Sequence, residues 1–76
     1  SMRFENLAEA LSRYYPDPDL ELLKKAYDFA KEAHQGQVRA SGEPYFLHVF
    51  ETALIGCQLK LDLNSILAAL LHDTIE

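Results

Sequence analysis

Residues 68–76 read Ala68-Ala69-Leu70-Leu71-His72-Asp73-Thr74-Ile75-Glu76, an apolar helical run that ends in a histidine–aspartate pair. With Ile66 and Leu67 just before it, the segment is hydrophobic nearly all round until His72. A helix apolar on most sides is a central one, covered by several neighbours. A neutral imidazole and a carboxylate suit a borderline or hard divalent ion such as Mn, Fe or Zn. Neighbours on a helix point about 100° apart, so an ion held by both sits over the flank between them. Two ligands are not a site. A third and usually a fourth come from elsewhere, and the chain offers His48 and His34.

Working back from this helix, Lys60-Leu61-Asp62-Leu63-Asn64 is a short link, with Asp62 as N-cap and Ser65 close behind. The preceding helix begins near Pro44 and runs to about Leu59, with Phe46 or Leu47, Phe50, Ala53 or Leu54, and Cys57 facing inward. Gly56 inside it costs about 1 kcal/mol relative to Ala, which implies a close helix–helix contact. Gln37 to Tyr45 is the one long polar connection, and such loops concentrate binding residues. Before it a helix runs from Pro18 to about Gln35, with Leu20, Leu23, Tyr27, Ala30 and His34 on one stripe. Asp17 is its expected N-cap, Pro18 its first residue, and Gly36 its left-handed stop. The first helix, Arg3 to about Tyr15, aligns Phe4, Leu7, Ala8, Leu11 and Tyr15, and Pro16 and Pro18 break it. No strand pattern or repeat occurs. The chain is all-α, with four helices.

Seventy-six residues, 49% of them hydrophobic, make one small domain or a piece of a larger one. A chain of this size buries roughly 60% of its unfolded surface, so the apolar content is generous. The sequence stops inside its His-Asp motif with no C-cap, Gly or Pro. A truncated piece is therefore expected, with apolar surface on the fourth helix through which copies self-associate. The net charge of −5 argues against nucleic acid as a partner. One cysteine forms no internal disulfide and fits a reducing compartment. No run approaches the roughly 20 apolar residues of a membrane span, and no signal peptide is seen. A cytoplasmic location is expected. Ser1-Met2 reads as a remnant of tag cleavage.

Several residues admit two readings. His48 alone is a core histidine donating to a carbonyl, and the His72-Asp73 pair makes it a metal ligand. A buried His and Asp at the end of a central helix are costly unless paired or metal-bound. His34, beside Gly36, reads as a C-terminal cap that interacts with the helix dipole. Arg39 is either a solvated arginine or a group that holds a phosphate or stacks on a base. Glu76 lies one turn after His72, as a general base on a metal-bound water or as a solvated helix end. Cys57 reads as a small core residue.

Ala26-Tyr27, Ala33-His34-Gln35-Gly36-Gln37-Val38-Arg39, Ser41-Gly42-Glu43-Pro44-Tyr45-Phe46-Leu47-His48, Leu61-Asp62 and Ala68 to Glu76 together resemble the N-terminal hydrolase region of RelA/SpoT proteins. The resemblance runs from about Leu20 to the last residue, and Arg3 to Pro16 is similar to the leading helix of SpoT-like members. It implies a four-helix fragment of an HD-domain metal-dependent phosphohydrolase, residues 3–76. The implied activity is Mn-dependent removal of the 3′-pyrophosphate from the guanine nucleotide (p)ppGpp, in a parent that also makes it. Carried over by position, His48 matches the first metal ligand, and His72 and Asp73 match the central pair. Arg39 and Ser41 match positions lining the guanine nucleotide pocket, and Glu76 matches the first acid of a Glu-Asp pair that works on the attacking water.

The sequence also departs from the family pattern. Val49 stands where the family has proline after the histidine, and Ala40 where lysine often follows the arginine. The second acid and the aspartate that supplies the fourth metal ligand are not among these residues, so the fragment itself is expected to be inactive. Two alternatives stand beside this reading: a stand-alone small (p)ppGpp hydrolase, and a non-catalytic helical module for regulation or self-association.

Overall fold

A computed structural model describes residues 2–74. Four helices form among them: α1 (Phe4–Ser12), α2 (Leu20–Ala33), α3 (Tyr45–Gln58) and α4 (Leu63–Leu71). The fold is all-helical, apart from an isolated antiparallel bridge between Val38 and Pro44. α4 packs on α3 and α2, and α1 closes the opposite side against the same two helices. Leu7, Leu11, Leu23, Ala30, Phe50, Ala53, Ile66 and Leu70 fill the interior. At its centre the Tyr27 ring meets Phe4, Phe46 and Phe50 edge-on, with centroids 5.6, 5.3 and 6.2 Å away. These offset geometries suit the ring quadrupole, and the Tyr27 hydroxyl donates to the Met2 carbonyl.

Several boundaries differ from the expectation. α2 starts at Leu20 and its cap is Asp19, whose side chain accepts from the Leu22 N–H at 3.0 Å. Asp17 instead takes a left-handed φ of 47°, whereas an N-cap needs extended backbone. α1 ends at Ser12, not Tyr15. Tyr14 leaves the helix to donate its hydroxyl to the Leu61 carbonyl at 2.6 Å, tying α1 to the α3–α4 link. Burial first, and then the Cys57 thiol beside it, push the Tyr14 phenol up to about 12. Burial also raises the Cys57 thiol, as befits a core residue rather than a nucleophile.

α3 ends without the glycine that usually closes a helix. Lys60 takes φ 60°, its N–H bonds to the Cys57 carbonyl, and the Leu61 N–H bonds to the Gly56 carbonyl, both at 3.0 Å. This pair of bonds is a Schellman motif built on a lysine. Gly56 is the close approach its position implied, since a Cβ there would lie 2.7 Å from Ile66 Cδ1 of α4.

Asp62 caps α4 as expected, accepting from the Ser65 N–H at 2.9 Å. Hydrogen bonding from Ser65, its hydroxyl before its backbone N–H, holds the Asp62 carboxyl below the ordinary aspartate value. A depressed folded-state value contributes stability above the unfolded value of about 3.9, and that contribution is lost as pH falls through the folded value. Asp62→Asn, which caps without titrating, is expected to lose less stability than the native chain between pH 5 and pH 2 in acid melts followed by circular dichroism. Equal acid sensitivity in both chains would contradict this assignment.

The covering of α4 is less complete than its sequence implied. Leu63, Ile66 and Leu70 are buried, but Leu67 and Leu71 are only half-buried and Ala68 is exposed. Among the described residues α2 and α3 are the helices packed against it, so one stripe is covered and the next is open. Leu67 and Leu71 border an apolar cavity of about 350 Å3 with Leu22, Ala26 and Phe29.

Candidate active site

The regular helix stops at Leu71, one residue before the histidine–aspartate pair. His72 keeps helical dihedrals as the cap, with φ −63° and ψ −28°. The Thr74 N–H and hydroxyl both return to the Leu71 carbonyl, at 3.1 and 2.8 Å. The turn brings His72 Nε2 within 3.2 Å of Asp73 Oδ2, with side chains 59% and 41% exposed. The pair is therefore open to solvent rather than buried, a departure from the covered helix end expected from sequence. Glu76, the expected acid, lies outside the described residues.

The start of α3 supplies the other wall. Tyr45 donates its hydroxyl to Asp73 Oδ2 at 2.7 Å. Its ring also meets that of His48 at 5.9 Å, edge-on, and that of His34 at 4.7 Å, tilted. Tyr45 thus touches the neighbourhoods of His48 and Asp73 together. His48 is half-buried, and its carbonyl accepts from Thr52 Oγ1. Among the described residues, however, no three His, Cys, Asp or Glu side chains are gathered closely enough to hold a metal. His72 and Asp73 form a ready pair, and His48 stands across Tyr45 from it.

His34 ends α2 as its cap, as its position implied, but its side chain does more than meet the helix dipole. It is 5% exposed, and Nδ1 lies 2.9 Å from Gln37 Oε1. The Gln37 amide nitrogen reaches the Ala33 carbonyl at 3.5 Å, which fixes the amide orientation. Nδ1 is then the donor, and Nε2 is buried with no hydrogen-bond partner among the described residues. Such an atom costs about 1–3 kcal/mol, so hydrogen bonding alone does not account for the ring's place; its face lies on Tyr45. His34, Gln37, Tyr45 and Asp73 line a cavity of about 390 Å3. A larger cavity of about 550 Å3, beside Arg13, Tyr14 and Lys60, contains none of the His-Asp site residues.

The polar loop is a small closed hairpin. The Tyr45 N–H bonds to the Gln37 carbonyl at 2.9 Å, and the Arg39 N–H bonds to the Glu43 carbonyl at 2.8 Å. The Gly42 N–H returns to the Arg39 carbonyl at 2.8 Å, with φ 92° at Gly42. Arg39 and Ser41 are exposed at its tip, and Ser41 Oγ accepts from the Glu43 N–H at 3.4 Å. Their backbone is anchored to Tyr45, hence to the residue that holds Asp73. Sequence reasoning passed over Tyr45. Its one local signal is its place three residues before His48, on the same helical face.

Comparison with known proteins places the chain among named relatives. The HD domain family matches residues 26–76. The chain is 58% identical over 66 residues to a GTP pyrophosphokinase of Myxococcus xanthus, covering 87% of this chain and 9% of the relative. It is 45% identical over 73 residues to the bifunctional (p)ppGpp synthase/hydrolase SpoT of Escherichia coli, covering 96% and 10%. It is 51% identical over 75 residues to the GTP pyrophosphokinase rsh of Brucella melitensis, covering 99% and 10%. The chain thus spans about a tenth of the length of these curated relatives. No solved structure matches it.

Proposed function

The chain belongs to the HD domain family, and on that footing we propose that residues 3–76 are the N-terminal part of a (p)ppGpp 3′-pyrophosphohydrolase domain of the RelA/SpoT type. The observation that carries the proposal is the His72–Asp73 pair, 3.2 Å apart, linked through Tyr45 to the helix that bears His48. The name of the Escherichia coli relative, a bifunctional (p)ppGpp synthase/hydrolase 45% identical over 73 residues, supports the substrate.

The donor set fits a divalent ion, and Mn is the one proposed. His72 Nε2 and Asp73 Oδ2, an imidazole nitrogen and a carboxylate oxygen 3.2 Å apart, are donor types that would suit such an ion. His72, Asp73 and His48 are the proposed ligands. When bound, the metal supplies a polarised phosphoryl oxygen and an acidified water. The chain's own groups bind and orient the nucleotide: Arg39 packs on the guanine and Ser41 faces the pocket. Glu76 takes a proton from the attacking water. The parent is proposed to act in the cytoplasm and also to make (p)ppGpp.

These 76 residues hold three of the four ligands that the resemblance requires, so the chain alone is proposed to be inactive. The test is to graft residues 26–76 in place of the aligned segment of the Escherichia coli relative and measure Mn-dependent pyrophosphate release from ppGpp. Release supports the assignment, and a folded graft without release counts against it.

The open stripe of α4 bears on self-association. Leu22, Phe29, Leu67 and Leu71 border one apolar depression, and such patches tend to find partners. The 76-residue chain is proposed to pair through this face. Light scattering at micromolar concentration is expected to give a dimer or larger, with Phe29→Ser shifting it to monomer. A clean monomer for the native chain would end this idea.

A further inference from the structure

We propose that Tyr45 is a positioning residue, fixing the Asp73 carboxylate beside His72 so that the pair faces a metal in one orientation. The inference rests on the metal assignment above and goes beyond it, because Tyr45 is not a ligand. Asp73 follows the end of the regular helix, sits in a turn and is half-exposed, so its own backbone gives its carboxylate little restraint. Tyr45 is held on several sides. Its N–H is bonded to the Gln37 carbonyl, and its ring meets both His34 and His48. The hydroxyl then reaches Asp73 Oδ2 at 2.7 Å, from a helix 28 residues earlier in the chain. The held group positions the loose one.

The same packing extends the support to the loop. His34 is buried, set by Gln37, and packs its ring on Tyr45. Gln37 opens the hairpin that carries Arg39 and Ser41. A nucleotide that shifts the hairpin therefore shifts the anchor of Tyr45. Hydrogen-bond partners of ligating carboxylates typically change metal affinity by about 10–100-fold when removed.

The test uses the 76-residue chain and Mn2+ alone. Paramagnetic broadening of the amide signals of His72 and Asp73 is followed against Mn2+ concentration, with His72→Ala as control. Tyr45→Phe keeps the ring packing and removes the hydroxyl, so the midpoint is expected to rise about tenfold while the melting temperature stays near native. An unchanged midpoint in Tyr45→Phe overturns the positioning role while leaving the metal assignment standing. If the native chain shows no broadening at 72–73, the same comparison is made in the grafted hydrolase, which supplies the fourth ligand, and absence of Mn2+ binding there overturns both. Should Tyr45→Phe not fold, 3-fluorotyrosine at position 45 keeps the ring packing and makes the hydroxyl a stronger donor; the midpoint is then expected to fall, and an unmoved midpoint overturns the proposal.

Discussion

Phe50→Ala is expected to lower the melting temperature by at least about 12 °C, and to leave much of the chain unfolded at 37 °C. Phe50 is 1% exposed on α3, with its ring 6.2 Å from Tyr27 of α2 and 6.3 Å from Phe46 one turn earlier on its own helix. Removing a buried phenylalanine costs about 3–5 kcal/mol, because the cavity left behind only partly collapses. Its pairing with each of those two rings adds about 0.5–1.5 kcal/mol beyond burial. A chain of 76 residues has a total stability of only about 4–11 kcal/mol, so one substitution removes a large part of it. Ile55→Ala is the control: it truncates a side chain 53% exposed on α3, outside the proposed pairing face, where the cost is usually within about 0.5 kcal/mol. Circular dichroism melts of both variants check the contrast. Equal melting temperatures would mean that Phe50 does not anchor the core.

The features legible in the sequence were those set by local chemistry. Asp62 as a cap, Gly36 in the left-handed region and α3 from Tyr45 to Gln58 follow from short-range rules that tertiary packing did not override. In the Asp17-Pro18-Asp19 stretch the pattern pointed to Asp17 as the cap of α2, and the cap is Asp19. The choice fell to Asp19 because Asp17 was taken up in the left-handed turn that reverses the chain after α1. Apolar residues all round α4 correctly signalled a helix but overstated its covering, since hydrophobicity shows what needs burial and not what is available to bury it. The pairing of His72 with Asp73 was readable because the residues are adjacent. The bond from Tyr45 to Asp73 spans the whole of α3 and α4, and no local period encodes it.

His72→Ala in the grafted hydrolase is expected to reduce Mn-dependent pyrophosphate release by more than about 100-fold, since removing a ligand should exceed the 10–100-fold effect of removing its supporting hydrogen bonds. Arg39→Ala should behave differently. Arg39 lies on the hairpin tip, away from the paired donors in sequence, and its backbone is bonded to Glu43 and Gly42. A group that packs on a base contributes about 1–3 kcal/mol of binding, so its removal should raise KM by roughly 10–100-fold while kcat changes little. The two substitutions therefore separate chemistry from nucleotide binding within one assay. If both lower kcat alike and leave KM unchanged, the hairpin is not the nucleotide pocket. If His72→Ala retains activity while the graft still needs Mn, the metal is held elsewhere, and the His72–Asp73 pair serves only to finish α4.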